Sequence, residues 1–79
     1  MKGRLFGQRL RMLREKREMT QEEMSGMLHV HRSTYTKYEI GETQPSIDTL
    51  IRLADLFKVS VDFLLGRTDD PRPRQPVRQ

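Results

Sequence analysis

The segment that decides the fold is residues 20–45, TQEEMSGMLHVHRSTYTKYEIGETQP. It opens with a predicted capping box. The Thr20 hydroxyl would accept a hydrogen bond from the backbone amide of Glu23, and the Glu23 side chain would accept one from the backbone amide of Thr20. The triplet His-Val-His at 29–31 has no such box and is predicted as a turn. A further helix is expected over residues 32–39, where apolar residues recur three apart. The segment therefore predicts two short helices joined by a tight turn.

The flanking residues predict three more helices around this pair. Residues 4–18 carry apolar side chains near helical spacing, at Leu5, Phe6, Leu10 and Leu13. Ser46 and Ser60 suit the N-caps of a fourth and a fifth helix, and Gly41 and Gly66 suit the left-handed residue that ends a helix. The predicted apolar stripe of the fourth helix is Ile47, Leu50, Ile51, Ala54 and Phe57. No strand pattern competes, so the expected class is all-α.

The composition of the chain changes at Arg67. Three prolines lie among the mixed charges of residues 69–76, and such a stretch can neither continue a helix nor bury much apolar surface. A chain of 79 residues has room for one domain. We therefore predict a single domain over residues 1–66 and an extended or disordered tail over residues 67–79.

The net charge of +4 is concentrated at the two ends of the sequence. Residues 1–18 hold seven Lys and Arg against two acidic residues, and residues 67–79 hold four Arg against two Asp. This favours a polyanionic partner, although a solvated helix face and a solubilising tail explain charge alone equally well. The lack of cysteine excludes disulfides and thiolate metal sites. No apolar run is long enough for a membrane span, so we expect a soluble, cytoplasmic protein without a cofactor.

The predicted third helix is polar apart from Tyr35 and Tyr38. Its other positions are small or carry hydrogen-bond donors, as at Arg32, Ser33 and Lys37. One face is therefore expected to be buried, and the other fits the major groove of DNA, where Arg and Lys donate to guanine. The two tyrosines could instead stack on single-stranded bases, but their spacing on an amphipathic helix favours the core.

Residues 8–66 resemble the lambda-repressor-like helix-turn-helix family, also called the XRE or Cro-type family. The resemblance is ungapped and is carried by Gln8-Arg9-Leu10-Arg11, Leu13-Arg14, Thr20-Gln21-Glu22-Glu23, residues 32–39, Gly41, Pro45-Ser46, Thr49-Leu50, Leu53-Ala54 and Val59-Ser60-Val61. It implies a compact five-helix DNA-binding domain with the helix-turn-helix at helices 2 and 3. It also implies a transcriptional repressor that binds a palindromic double-stranded DNA operator as a homodimer.

The resemblance further implies roles for particular residues. The positions that read bases match His31, Arg32, Ser33, Thr36 and Lys37. The positions that contact phosphates match Gln21, Thr43 and Gln44. Arg14 and Glu39 match a buried salt bridge that ties the first helix to the end of the recognition helix. The departures from the family pattern are His29 where glycine is usual, Ser25 where alanine is usual, and Glu42 where a basic residue is frequent.

The apolar residues of the fifth helix exceed what so short a helix is expected to bury. We predict a dimer interface from them, although they could simply close the core; they are Val61, Phe63, Leu64 and Leu65. His29 and His31 alone cannot complete a set of metal ligands, so no metal is expected. An enzyme is disfavoured by the absence of a nucleotide loop or a nucleophile with its base. A protein-interaction module stays open, with a toxin or an antirepressor as partner, because fold alone does not exclude it.

Overall fold

The computed structural model describes residues 3–73, which form five helices and no strand. The helices are α1 (Gly3–Lys16), α2 (Gln21–Leu28), α3 (Arg32–Ile40), α4 (Ile47–Phe57) and α5 (Val61–Leu65). The all-α prediction is confirmed, and α2 and α3 form the helix-turn-helix. In the part of the chain that the structure describes, no helix is long and apolar enough to cross a membrane.

Side-chain caps begin three of the helices. At the start of α2, the Thr20 amide donates to the Glu23 carboxylate at 2.8 Å, and the Glu23 amide donates to the Thr20 hydroxyl at 3.0 Å. Ser46 and Ser60 each accept from the amide three residues on, at the starts of α4 and α5. His29 ends α2 with φ of 57°, so the turn uses the left-handed conformation without a glycine.

The first helix ends two residues earlier than predicted. It ends at Lys16, and Glu18 takes a left-handed conformation with φ of 55°. The Met19 amide then donates to the Arg14 carbonyl at 3.2 Å, which satisfies an acceptor at the end of the helix. The turn brings the chain directly to the cap of α2.

Twelve apolar side chains are buried within residues 5–73 and form one core. They are Phe6, Leu10, Met24, Leu28, Tyr35, Tyr38, Leu53, Ala54, Phe57, Val59, Phe63 and Leu64. The predicted stripe of α4 is wrong in two places, because Ile47 is 76% exposed and Ile51 is 47% exposed. The face of α4 that enters the core is centred on Leu53, which the predicted stripe omitted. Ile51 points away from Leu53, since two residues of a helix are rotated by about 200°.

A glycine in α1 determines how closely α1 approaches α3. A Cβ added at Gly7 would lie 2.2 Å from the carbonyl oxygen of Glu39, so the two backbones are in direct contact there. Two small residues of α2, Ser25 and Gly26, differ in their packing. Ser25 is buried, but a Cβ at Gly26 would meet no described atom within 4 Å outside its own helix. The tight crossing of this fold is therefore at Gly7.

Residues 67–73, here called the strap, fold back onto the domain, contrary to the prediction of an extended or disordered tail from Arg67. The guanidinium of Arg9 donates to the carbonyl of Thr68 at 2.7 Å and to the carboxylate of Asp69 at 2.7 Å. The same guanidinium lies 4.2 Å from the centre of the Phe63 ring. The Ser60 amide donates to the Pro71 carbonyl at 3.1 Å. Polar contacts thus anchor a segment with little apolar surface; residues 74–79 of the predicted tail lie outside the described residues.

The apolar residues of α5 divide between the core and the surface. Leu64 is fully buried and Phe63 is 8% exposed within a single chain, so neither offers an appreciable surface to a second copy. The predicted interface is corrected at these two positions, because they close the core over α1 and α4. Val61 and Leu65 are partly exposed, and their contact with a second copy stays a prediction.

Replacing Gly7 by alanine should destabilise the domain, while the same change at Gly26 should not. The new methyl group at position 7 would collide with the backbone of α3, and we expect a loss of about 1–3 kcal/mol in the free energy of unfolding, as for other overpacked sites. At position 26 the methyl group has space, and alanine should add up to about 1 kcal/mol through helix propensity. Urea unfolding of the two variants measures both effects. Equal stability of Gly7→Ala and Gly26→Ala would contradict the tight crossing.

Candidate nucleic-acid interface

The outer face of α3 carries exposed polar side chains. Arg32, Ser33 and Lys37 are exposed, and Thr36 is partly buried. They line a shallow surface depression of about 570 Å³ together with Gln21 of α2, Ile40 at the end of α3, and Glu42 in the following loop. The structure therefore brings four of the predicted base-reading residues and one predicted phosphate contact to a single surface.

The inner face of α3 holds a buried carboxylate, that of Glu39. Arg14 of α1 donates to it through Nε at 2.6 Å and through Nη2 at 3.2 Å, and the two side chains are only 12% and 2% exposed. The Tyr35 hydroxyl donates at 2.5 Å, and the Gln21 amide nitrogen donates at 3.1 Å. We call Arg14, Gln21, Tyr35 and Glu39 the carboxylate cluster. It joins α1, α2 and α3 at one point.

The pKa values of the cluster show that its carboxylate is held ionised. Burial by itself raises the pKa of Glu39, but the hydrogen bonds from Arg14, Tyr35 and Gln21 outweigh it and leave the pKa below its usual range. The hydrogen bond to Glu39 raises the pKa of Arg14. Burial, followed by the hydrogen bond to Glu39, raises the pKa of Tyr35. At neutral pH the cluster is therefore a charged pair with a phenol that keeps its proton.

The structure shows Gln21 acting between helices. Its amide nitrogen donates to Glu39, and its carbonyl oxygen accepts from the Thr36 hydroxyl at 3.0 Å. The Thr36 hydroxyl also lies 3.0 Å from the Arg32 carbonyl, so its proton is committed within the protein. An amide nitrogen carries two protons, so Gln21 keeps one donor for a further acceptor such as a phosphate. Gln21 thus orients α3 as well as facing the depression.

The remaining predicted contacts lie at the two ends of α3. His31 is exposed and precedes the helix, and within the described residues its side chain makes no capping hydrogen bond. Thr43 is partly buried, and its amide donates to the Lys37 carbonyl at 3.4 Å. Gln44 is exposed. The Thr43 amide is therefore already used within the protein. The predicted phosphate contacts of Thr43 and Gln44 would have to come from their side chains.

Sequence reasoning missed the surface role of Ile40 and the hydroxyl of Tyr35. Ile40 is 58% exposed and shares the depression with Lys37. Its position three residues after Lys37 and seven after Ser33 was the signal, because this spacing places all three on one face. Tyr35 was expected in the core and is buried there, but its hydroxyl also donates to Glu39, four residues on. That spacing was equally visible in the sequence.

A family comparison agrees with this arrangement. The model of a family described as helix-turn-helix matches residues 10–64, and these span α2, α3, α4, the second half of α1 and most of α5. The chain belongs to the XRE-type helix-turn-helix family, whose members bind DNA and regulate transcription. The resemblance found in the sequence is thereby confirmed.

Individual relatives are bacterial regulators. The chain is 41% identical over 70 residues to YobD, an uncharacterised HTH-type transcriptional regulator of Bacillus subtilis, covering 89% of this chain and 62% of YobD. It is 36% identical over 64 residues to the regulator ImmR of the same organism, covering 81% and 50%. It is 38% identical over 48 residues to RstR, a cryptic phage CTXphi transcriptional repressor from Vibrio cholerae, covering 61% and 43%. The chain thus spans 43% to 62% of the length of these three relatives.

Replacing Glu39 by glutamine should destabilise the domain at neutral pH and less so in acid. The change leaves the buried Arg14 cation without its partner, which typically costs roughly 3–5 kcal/mol. Because the folded-state pKa of Glu39 lies below the unfolded value of about 4.3, its contribution is present above that pH and is lost as the pH falls through the folded pKa. Thermal melting of wild type and Glu39→Gln at pH 7 and pH 3 measures the difference in melting temperature at each pH.

The control for this experiment is Glu15→Gln. Glu15 pairs with Arg11 at 3.1 Å, but both side chains are more than half exposed. An exposed pair contributes at most about 1 kcal/mol, so this variant should melt close to wild type at both pH values. A Glu39→Gln protein that melts like the Glu15→Gln control at pH 7 would show that the carboxylate cluster does not stabilise the fold.

Proposed function

We propose that the protein is a sequence-specific repressor of transcription that inserts α3 into the major groove of a double-stranded DNA operator. The observation that carries this proposal is the division of α3 into two faces. Its inner face is fixed by Tyr35, Tyr38 and Glu39, while its outer face presents Arg32 and Lys37. A helix in the major groove needs both a rigid attachment to the domain and projecting donors.

Each basic side chain of this outer face has a defined chemical use. Arg32 opens α3, and Lys37 lines the same depression five residues later, so both can reach base edges, where arginine and lysine donate to the O6 and N7 atoms of guanine. Ser33 lies between them and is small enough to let the helix approach. The second N–H of the Gln21 amide donates a hydrogen bond to a phosphate. This contact fixes how deeply α3 enters the groove and carries no sequence preference.

Repression, rather than activation, is favoured by the similarity to RstR, which is named a transcriptional repressor. A domain that occupies an operator blocks polymerase by exclusion and needs no further surface for this. The chain is also 33% identical over 61 residues to BcrR, an HTH-type transcriptional activator of Enterococcus faecalis. Activation is therefore the alternative. A reporter gene under the natural promoter distinguishes the two, because a repressor lowers its expression and an activator raises it.

Operator binding as a homodimer is the second part of the proposal. Ile51 of α4 and Val61 of α5 line one depression on the surface, and Ile47 lies one turn before Ile51. Exposed apolar side chains that adjoin one another usually mark a contact surface. We therefore place the interface on Ile47, Ile51 and Val61, with the partly exposed Leu65 as a further candidate. Two copies related by a two-fold axis would match a palindromic operator with half-sites about 10 base pairs apart.

Replacing Arg32 or Lys37 by alanine should weaken binding to the operator by about 1–3 kcal/mol and relax the preference for particular bases. The operator is first selected from random duplexes, and the Kd is then measured on it and on an unrelated duplex. Arg52→Ala is the control, because Arg52 is exposed on α4 and lines a different depression with Met27 and Leu56. If Lys37→Ala loses as much affinity for the unrelated duplex as for the operator, Lys37 does not read bases.

Replacing Ile51 by lysine should produce monomers and weaken operator binding together. The added positive charge would by itself favour DNA, so a loss of affinity reports the loss of the second copy. Met27→Lys is the matched control, because Met27 on α2 is 48% exposed and Ile51 is 47% exposed. Sedimentation equilibrium gives the oligomeric state, and the same operator gives the affinity. An Ile51→Lys dimer of unchanged stability would place the interface elsewhere.

A further inference from the structure

Ile40 is an exposed apolar residue on a face of α3 that otherwise carries donors. It is 58% exposed, although it directly follows the buried Glu39. It lines the same depression as Ser33, Thr36 and Lys37, since it lies seven, four and three residues after them. An isoleucine at this place adds nothing to the core, so its contribution depends on what enters the depression.

The charge around Ile40 limits the choice of ligand. Glu42 follows Ile40 by two residues and lines the same depression, and its carboxylate would repel a phosphate group. Lys37 precedes Ile40 by three residues, lines the depression as well, and can donate to an electronegative base edge. The depression around Ile40 is therefore better matched to the edges of bases than to the sugar–phosphate backbone. The apolar group that a base offers in the major groove is the C5-methyl group of thymine.

We propose that Ile40 contacts the C5-methyl group of a thymine in each half-site and so makes the protein select thymine at that position. The inference rests on the proposed function, because it assumes that α3 enters the major groove. It adds a specificity-determining residue to the donors already described. Its physical basis is the removal of the exposed isoleucine side chain and the methyl group from water at the same time.

The test deletes the methyl group from the DNA and the side chain from the protein. Each thymine in one half-site of the selected operator is replaced in turn by deoxyuridine, which lacks only the methyl group. For the wild-type protein, one such replacement should raise the Kd about fourfold, the effect of exposing one buried methyl group. For Ile40→Ala, the same replacement should leave the Kd nearly unchanged, because the partner of the methyl group is already gone.

The control variant is Met27→Ala, which removes a similarly exposed apolar side chain from α2. It should keep the full wild-type response to deoxyuridine, and both variants should melt close to wild type because neither side chain is in the core. The inference is overturned if wild type and Ile40→Ala respond equally to every replacement, or if the selected operator has no thymine facing α3. An Ile40→Ala protein with normal DNA binding but weakened capture of a second protein would assign the residue to a protein partner instead.

Failure of the Ile40 contact and failure of DNA binding would give different results. If the wild-type protein binds the selected operator tightly and no deoxyuridine replacement matters, α3 is still the reading helix and only the role of Ile40 fails. If no duplex is selected from the random pool, the proposed function fails and the role of Ile40 fails with it.

Discussion

The ionised carboxylate of Glu39 is the group on which the arrangement of α1, α2 and α3 depends. A buried carboxylate is stable only when its lone pairs are satisfied, and here each of the three helices supplies a donor: Arg14, Gln21 and Tyr35. The backbone carbonyl of the same residue is the atom that Gly7 approaches most closely. Side chain and main chain at one position of α3 therefore fix the distance and the rotation of two neighbouring helices.

This attachment has a direct consequence for the outer face of α3. Since residues on a helix are separated by fixed rotations, fixing Tyr35 and Glu39 inward leaves Ser33, Lys37 and Ile40 facing outward. The bond from Thr36 to Gln21 adds a constraint at the rim between the two faces. A reading helix must hold its donors in position before it meets a base, because ordering them on binding would cost affinity. The buried cluster supplies that order.

The sequence predicted those features that are encoded locally. Caps, turns and helical spacing depend on neighbouring residues, so the five helices and the turn at residues 29–31 could be anticipated. The strap could not, because proline and charge suggested disorder while its anchor, Arg9, lies about sixty residues away in the chain. The apolar residues of α5 were also ambiguous for this reason. A count of apolar residues does not tell whether Leu64 meets the rest of its own chain or a second copy, and only the packing of α1 over α5 decides it.

For DNA binding, the position of the charges matters more than the net charge of +4. Five basic residues form ion pairs with acidic neighbours within the described residues, and these pairs leave the net charge unchanged; they are Arg9, Arg11, Arg14, Arg67 and Arg72. On the outer face of α3, Arg32 and Lys37 are accompanied by Glu42. Attraction to phosphate depends on the charge that faces the DNA, and that charge is smaller than the total suggests. In the function proposed above, affinity therefore comes mainly from matched contacts to bases and from joining two copies, and both of these depend on the exact orientation of α3.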